Sequence, residues 1–232
     1  EKVDLGLFGS KVQQWSPVVV GRIAGFGYLM IIMLAMFAEA GVRSNAFVAG
    51  DAIQTAENVR KSRFLFRIGF MADLVAFGCD IVVNGALYYL LRDTDPFLAL
   101  LALLFRLVQA SAATANSSLH WLALFLAKPP SYITKAFTSA QLDVMVLASL
   151  QLHKVFYSAA LCFFSVNCAL TAVLFLRSDR FPLVLSGLLM AAAVAYAFDC
   201  TATFLLDDYD TPGLVVMILV ATEFSVCGFL IV

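Results

Sequence analysis

The sequence predicts an all-α polytopic membrane protein: a bundle of about six transmembrane helices with one or two interfacial helices. Three observations lead there. The 232 residues are 62% hydrophobic and only 13% charged, which is outside the range of soluble globular domains. Six unbroken apolar runs approach or exceed the roughly 20 residues that cross a bilayer as a helix. The runs do not alternate polar and apolar residues, and a backbone in lipid must bond to itself, so helices are favoured over a barrel. No flexible linker or long charge run divides the chain, and residues 1–232 read as a single domain.

The spans fall near 18–40, 66–91, 96–126, 152–176, 182–206 and 213–232. Ala38-Glu39-Ala40 resembles a signal cleavage site, but Val18 to Phe37 exceeds a usual signal core, so the first run reads as a retained span. The start at Glu1 and the apolar end at Val232 suggest that both termini are incomplete or processed. Between the first two spans, Asp51 can cap a short helix through Arg60 and Lys61, with Ile53, Ala56 and Val59 on one side, lying on the membrane surface. Residues 138–151 fit either a second interfacial helix or an extension of the fourth span. Pro96, Pro182 and Pro212 follow the possible caps Asp95, Ser178 or Asp179, and Thr211, so three spans start after short turns. Those turns make antiparallel hairpins.

Charge leaves orientation nearly balanced. Lys2, Lys11, Arg22, Arg92, Arg177 and Arg180 lie toward the N-terminal side, against Arg43, Arg60, Lys61, Arg63, Lys128 and Lys135. The longer first loop and the acidic Asp207, Asp208, Asp210 turn favour the N-terminus inside.

Charged residues within apolar spans normally face one another, a cavity or a partner. Both helices of a hairpin rise about 1.5 Å per residue, so residues equidistant from the turn share a depth. Counting from Thr94 sets Arg106 level with Val82, between Asp80 and Asn84, and predicts an Arg106–Asp80 ion pair. The same count sets Asp73 beside Asn116 and His120 near Arg67. Asp73, Asp80 and Asn84 share one helix face; Arg106, Gln109, Ala113, Asn116 and His120 share another. These stripes read either as structural hydrogen-bonded glue or as a pathway or ligand cavity. The small-residue stretch Ala110 to Ser118 suits close helix packing. Near the C-terminus, counting from Asp210 brings Glu223 close to Tyr196 and Asp199. With His153 on the same side, they form a possible proton relay, or an acid hydrogen-bonded to Tyr196 or Tyr157.

Specific chemistries find little footing. The five cysteines, all in apolar runs and without CxxC spacing, read as small packing residues. Two histidines exclude a three-His zinc site, no HExxH spacing is present, and no metal ligand or catalytic residue is assigned. No P-loop, dinucleotide fingerprint or nucleophile elbow occurs, and the cofactor is unknown. Net charge −1 argues against nucleic acid as a partner. Gly21 and Gly25 form a GxxxG that admits another helix, from this bundle or another protein.

Several short motifs recur in order: Gly50-Asp51-Ala52, Thr55-Ala56-Glu57-Asn58, Phe66-Arg67-Ile68-Gly69, Ala72-Asp73-Leu74 and Ala86-Leu87-Tyr88-Tyr89-Leu90-Leu91. Leu104-Phe105-Arg106-Leu107, Leu152-His153, Phe163-Phe164, Arg177-Ser178, Pro182, Leu185, Gly187 and Tyr196 follow. Together they resemble a family of uncharacterised prokaryotic multi-pass membrane proteins, a domain of unknown function. The family commonly reads Phe-Phe-Gly where this chain has Phe163-Phe164-Ser165. The resemblance implies a bacterial or archaeal inner (cytoplasmic) membrane protein and brings no activity, substrate or cofactor.

The expected function is therefore non-enzymatic: an accessory or regulatory subunit, or a bundle binding a hydrophobic ligand, in contact with the lipid bilayer and a membrane-protein partner or a second copy. The alternative is a proton-coupled small-molecule transporter or channel using Asp73, Asp80 and Arg106 with Asp199 and Glu223. A third reading is an intramembrane metal-dependent hydrolase.

Overall fold

Local signals in the chain account for most helix boundaries. In the computed structural model, which describes residues 15–207 and 209–232, Pro17 opens α1 (Pro17–Met36), where its missing N–H is no loss. The helix continues without a break through a π-helical turn (Phe37–Arg43) and a last α-turn, α2 (Ser44–Ala46). Gly50, with φ 74°, turns the chain, and the Asp51 carboxylate accepts from the Gln54 N–H at 2.8 Å to start α3 (Ala52–Lys61). α4 (Arg63–Leu91) leads through a tight turn to α5 (Pro96–Ala127), capped by Asp95 accepting from the Leu98 N–H at 3.0 Å. After the single turn α6 (Ser131–Thr134), a Thr138–Gln141 capping box begins α7 (Ser139–Arg177). α8 (Leu183–Leu205) and α9 (Gly213–Ile231) complete the chain.

Among the described residues, six helical stretches are long and apolar enough to cross a membrane: Pro17–Ala46, Arg63–Leu91, Pro96–Ala127, Ser139–Arg177, Leu183–Leu205 and Gly213–Ile231. The chain is a multi-pass membrane protein, and its outer helix faces contact lipid. The structure corrects some of the expected boundaries and caps and decides one left open. The first span runs on to Ala46 because the π turn carries the helix past Glu39. Residues 139–151 extend the fourth span, since the capping box sets its start there. Among the described residues no side chain caps α8 or α9: Pro182 and Pro212 themselves occupy the N-cap with extended backbone, ψ 141° in each. Ile53, expected on one side of α3 with Ala56 and Val59, is 62% exposed, while Thr55, Ala56 and Val59 are buried, as a 3.6-residue period from Ala52 requires. Lys2, Lys11 and Asp208 of the charge comparison lie outside the described residues.

The spans pack in chain order, each on the next, and α9 returns to α1, so the six form a closed ring. Its main apolar core includes Tyr28, Val83, Leu87, Phe164, Phe175, Leu189 and Val226. A second core, with Val42, Val59, Phe66, Leu124 and Val146, lies where α3 tucks under the end carrying the first loop. At the opposite end, Arg177 pairs with Asp95 at 2.9 Å and the Arg180 guanidinium donates to the Leu90 carbonyl at 3.1 Å. Outward side chains such as Phe26, Met33, Val194 and Met217 are apolar and exposed, as lipid contact demands.

Closure of the ring depends on glycine. A Cβ at Gly25 would lie 2.8 Å from the Ile231 amide nitrogen and 2.9 Å from the Leu230 carbonyl carbon. The GxxxG motif thus serves the α1–α9 contact inside this chain, where the Cys227 thiol also approaches the Gly25 carbonyl at 3.5 Å. Backbone cannot yield as a flexible side chain can, so Gly25→Leu is expected to destabilise the fold by about 1–3 kcal/mol. Unfolding in mixed micelles checks this, with the exposed change Phe26→Leu on the same helix as the near-neutral control.

Two of the cysteines are not merely packing residues. Cys162 and Cys200 form a disulfide between α7 and α8, with Cα atoms 5.9 Å apart, while Cys79, Cys168 and Cys227 are free.

Candidate functional site

The helices that close the ring also carry two buried polar clusters inward. In the first, α4 supplies Asp80 and α5 supplies Arg106, which form an ion pair at 3% and 5% exposure. The tight turn between the two helices fixes this register. The Arg106 guanidinium lies over the Phe164 ring, 3.9 Å from its centroid, which covers one face of the cation. Its Nε and Nη1 have no hydrogen-bond partner among the described residues. Next to the pair, the Asn84 amide donates to the Asp80 carbonyl at 3.0 Å, and Asn167 from α7 donates to the Ala102 carbonyl at 2.8 Å and toward Asn84 Oδ1 at 3.5 Å. Asn167 is a member the sequence reading missed: the nearest turn, 178–182, sets α7 against α8, whereas its partners lie on α4 and α5.

Farther around the ring, the Tyr196 hydroxyl of α8 donates to a Glu223 carboxylate oxygen of α9 at 2.8 Å. Tyr196 also packs against Phe164, with ring centroids 4.8 Å apart, so one aromatic ring touches both the arginine and the tyrosine.

The second cluster lies closer to the α3 end. Arg43, from the π turn, donates through Nη1 to Asp73 at 2.5 Å and through Nε to Glu39 at 2.7 Å. The same Nη1 approaches His120 Nδ1 at 3.4 Å, while His120 Nε2 lies 2.9 Å from the Phe66 carbonyl oxygen. A guanidinium only donates and a carbonyl only accepts, so this ring holds its proton on Nε2 and presents a bare Nδ1 to Arg43. The His153 ring lies 6.1 Å from His120, and Asn116 donates to the His153 carbonyl at 2.9 Å.

Several expected partnerships therefore change. Asp73 meets Arg43, not Asn116, because α1 extends far enough to bring that arginine inward. Asn116 instead meets His153 across the tight α5–α7 packing made possible by Ala110, Ala113 and Ser117, each at most 3% exposed. His120 lies at the depth counted for it, meeting the Phe66 carbonyl next to Arg67. Asp199 accepts from the Tyr209 hydroxyl at 2.9 Å, where the turn after α8 folds back, while Glu223 keeps the bond to Tyr196 expected as the alternative to a relay. Tyr209 lies outside the spans, and desolvation together with its bond to Asp199 raises its phenol above the ordinary range. The structure does not join His153 to either carboxylate; its recorded partner is Asn116.

The buried arginine missed by the sequence reading, Arg43, carried one available signal: it follows Glu39 by four residues, the spacing of a helical ion pair, when counted as a loop flank. Among the described residues, no three His, Cys, Asp or Glu side chains converge on a common point. The geometry thus offers donors and acceptors fixed inside a low-dielectric bundle, with one strong donor, Arg106, buried without its full set of acceptors among the described residues.

A family model described as "Domain of unknown function (DUF4386)" matches residues 23–232. No match was found among curated proteins or among solved structures.

Proposed function

Because this chain belongs to that family, whose description assigns no activity, we propose its role from its own geometry: a non-enzymatic membrane protein whose core binds the polar head of a small, largely hydrophobic ligand. The observation that supports this is Arg106. It is 5% exposed, yet two of its nitrogens lack a partner among the described residues. A buried donor without an acceptor costs about 1–3 kcal/mol, more when charged. A carboxylate, carbonyl or phosphate oxygen in the guanidinium plane would recover that cost, while Phe164 blocks one face and Asp80 fixes the orientation.

In this reading Asp80, Asn84 and Asn167 position the cation, and the apolar side chains packed around it part to admit the ligand's body. The chain would act by holding that ligand, as an accessory or regulatory component of the membrane. The test is native mass spectrometry of the full chain gently extracted from its own membrane. The wild type is expected to carry a non-protein mass, and the charge-balanced pair Asp80→Asn with Arg106→Gln to lose it while remaining folded. An isolated wild-type chain with neither ligand nor partner would contradict the proposal.

A second reading is favoured by the Tyr196–Glu223 bond, a tyrosine–carboxyl contact inside the span. Here Glu223 is the proton carrier of a coupled transporter, with the Asp80–Arg106 pair at the substrate. Reconstituted vesicles discriminate: a pH-driven flux lost in Glu223→Gln supports transport, and a flux indifferent to both Glu223→Gln and Asp80→Asn removes these residues from it.

A further inference from the structure

Outside the core, the start of α4 and the end of α5 enclose an open cleft of about 620 Å³. Three of its lining residues are cations, Arg63, Arg67 and Lys128, and none is a carboxylate. Their neighbours are already neutralised: Arg60 pairs with Asp143 and donates to the Ala127 carbonyl at 3.1 Å, and Lys61 pairs with Glu57 at 3.2 Å. Arg63, Arg67 and Lys128 have no ion-pair partner among the described residues. Three like charges on one cleft wall repel unless an anion joins them.

The cleft also sits at a telling depth. Arg63 is the first residue of α4 and Lys128 the cap after α5. α4 has 29 residues, roughly 43 Å of helix against about 30 Å of hydrocarbon, so its ends stand in the headgroup layer. Below the cations an apolar path leads toward the bilayer centre. On α4 Phe64, Ile68 and Met71 are 75%, 40% and 56% exposed, at the spacing of one helix face. On α5 the partly exposed Trp121 lies one turn inward from Phe125, itself in the cleft wall. An aromatic belt residue at that level fits a lipid interface.

We propose that this cleft is a binding site for an anionic phospholipid, with Arg63, Arg67 and Lys128 on the headgroup phosphate and the acyl chains lying along Phe64, Ile68 and Met71. Arginine's planar fork suits a phosphodiester, and Lys128 adds a point charge from the second helix. The apolar path distinguishes this occupant from a soluble phosphate, which has no use for it. The site is independent of the Arg106 core and stands or falls separately.

The test uses the full chain in phosphatidylcholine nanodiscs carrying a minor fraction of spin-labelled phosphatidylglycerol, and reads the affinity of the immobilised label. Each surface cation near a membrane contributes about a fivefold factor, so Arg63→Gln/Arg67→Gln/Lys128→Gln is expected to weaken retention on the order of 100-fold. Each single variant, useful should the triple change not fold, is expected to lose about fivefold. A control removing the same charge elsewhere, Arg22→Gln/Arg92→Gln/Lys135→Gln, is expected to retain the label. Equal loss in that control, equal retention by the triple variant, or no preference over spin-labelled phosphatidylcholine would overturn the site. Inorganic phosphate in excess is expected to leave the label bound; its displacement would overturn a lipid as the occupant.

Discussion

Replacing Arg106 with leucine is expected to destabilise the folded bundle by about 3–5 kcal/mol, the cost of leaving a buried carboxylate without its counter-charge. Asp80 is 3% exposed, and apart from Arg106 its side chain has no recorded hydrogen-bond or ion-pair partner among the described residues. It cannot escape to the interface as a lysine near a helix end would, since it stands near the middle of α4. The guanidinium's contact with the Phe164 face is lost as well. By contrast, the apolar pair Asp80→Leu with Arg106→Leu removes both charges and is expected to fall within about 1–2 kcal/mol of wild type, because the desolvation of both ions is removed together. Reversible unfolding of the two single variants and the double variant gives the coupling energy directly. A double-variant loss equal to the sum of the two single losses would show that the pair contributes no coupling.

Arg43→Leu is expected to have a similar effect, about 3–5 kcal/mol, by a different route. It strands Asp73 at 5% exposure and removes the donor facing His120 Nδ1. Arg43 serves three groups at once through Nε, Nη1 and Nη2, with the Nη2 contact to Asp73 longer at 3.5 Å. A lysine has one ammonium and cannot span them, so Arg43→Lys is expected to recover less than half of the loss. Nitrogen chemical shifts of His120 provide an independent readout: the Nε2–H form dominates in wild type, and the preference weakens in Arg43→Leu while the Phe66 carbonyl continues to hold Nε2. An unchanged unfolding free energy would remove Arg43 from the core of the account.

The six spans were legible because lipid imposes a simple code: an apolar run of sufficient length and a self-satisfied backbone. The Asp80–Arg106 pair was legible because a four-residue turn, Arg92 to Asp95, joins their helices and makes depth countable from sequence. Where that geometry failed, so did the count. Asn116 and His153 belong to helices separated by the irregular stretch 128–138, from which no register follows. Asp73 found a partner on a third helix, and only the π turn carries Arg43 deep enough to be that partner. Asp199 was claimed by Tyr209 from a returning turn, which periodicity along a helix cannot anticipate. The Cys162–Cys200 bond likewise joins two helices without any spacing signature. The GxxxG motif announced a close approach, but its partner, the last helix, emerged only when the ring was seen to close.

What remains most informative about this core is the in-plane edge of Arg106 that neither Asp80 nor Phe164 covers. An experimental density map of the protein extracted with its native lipids tests the central claim directly. The account predicts non-protein density within about 3 Å of Arg106 Nε and Nη1, continuous with an elongated apolar body in the bundle. Clear density for a dry edge, packed by side chains of the chain itself, would contradict it and reduce the buried charges to the structural tie between α4 and α5.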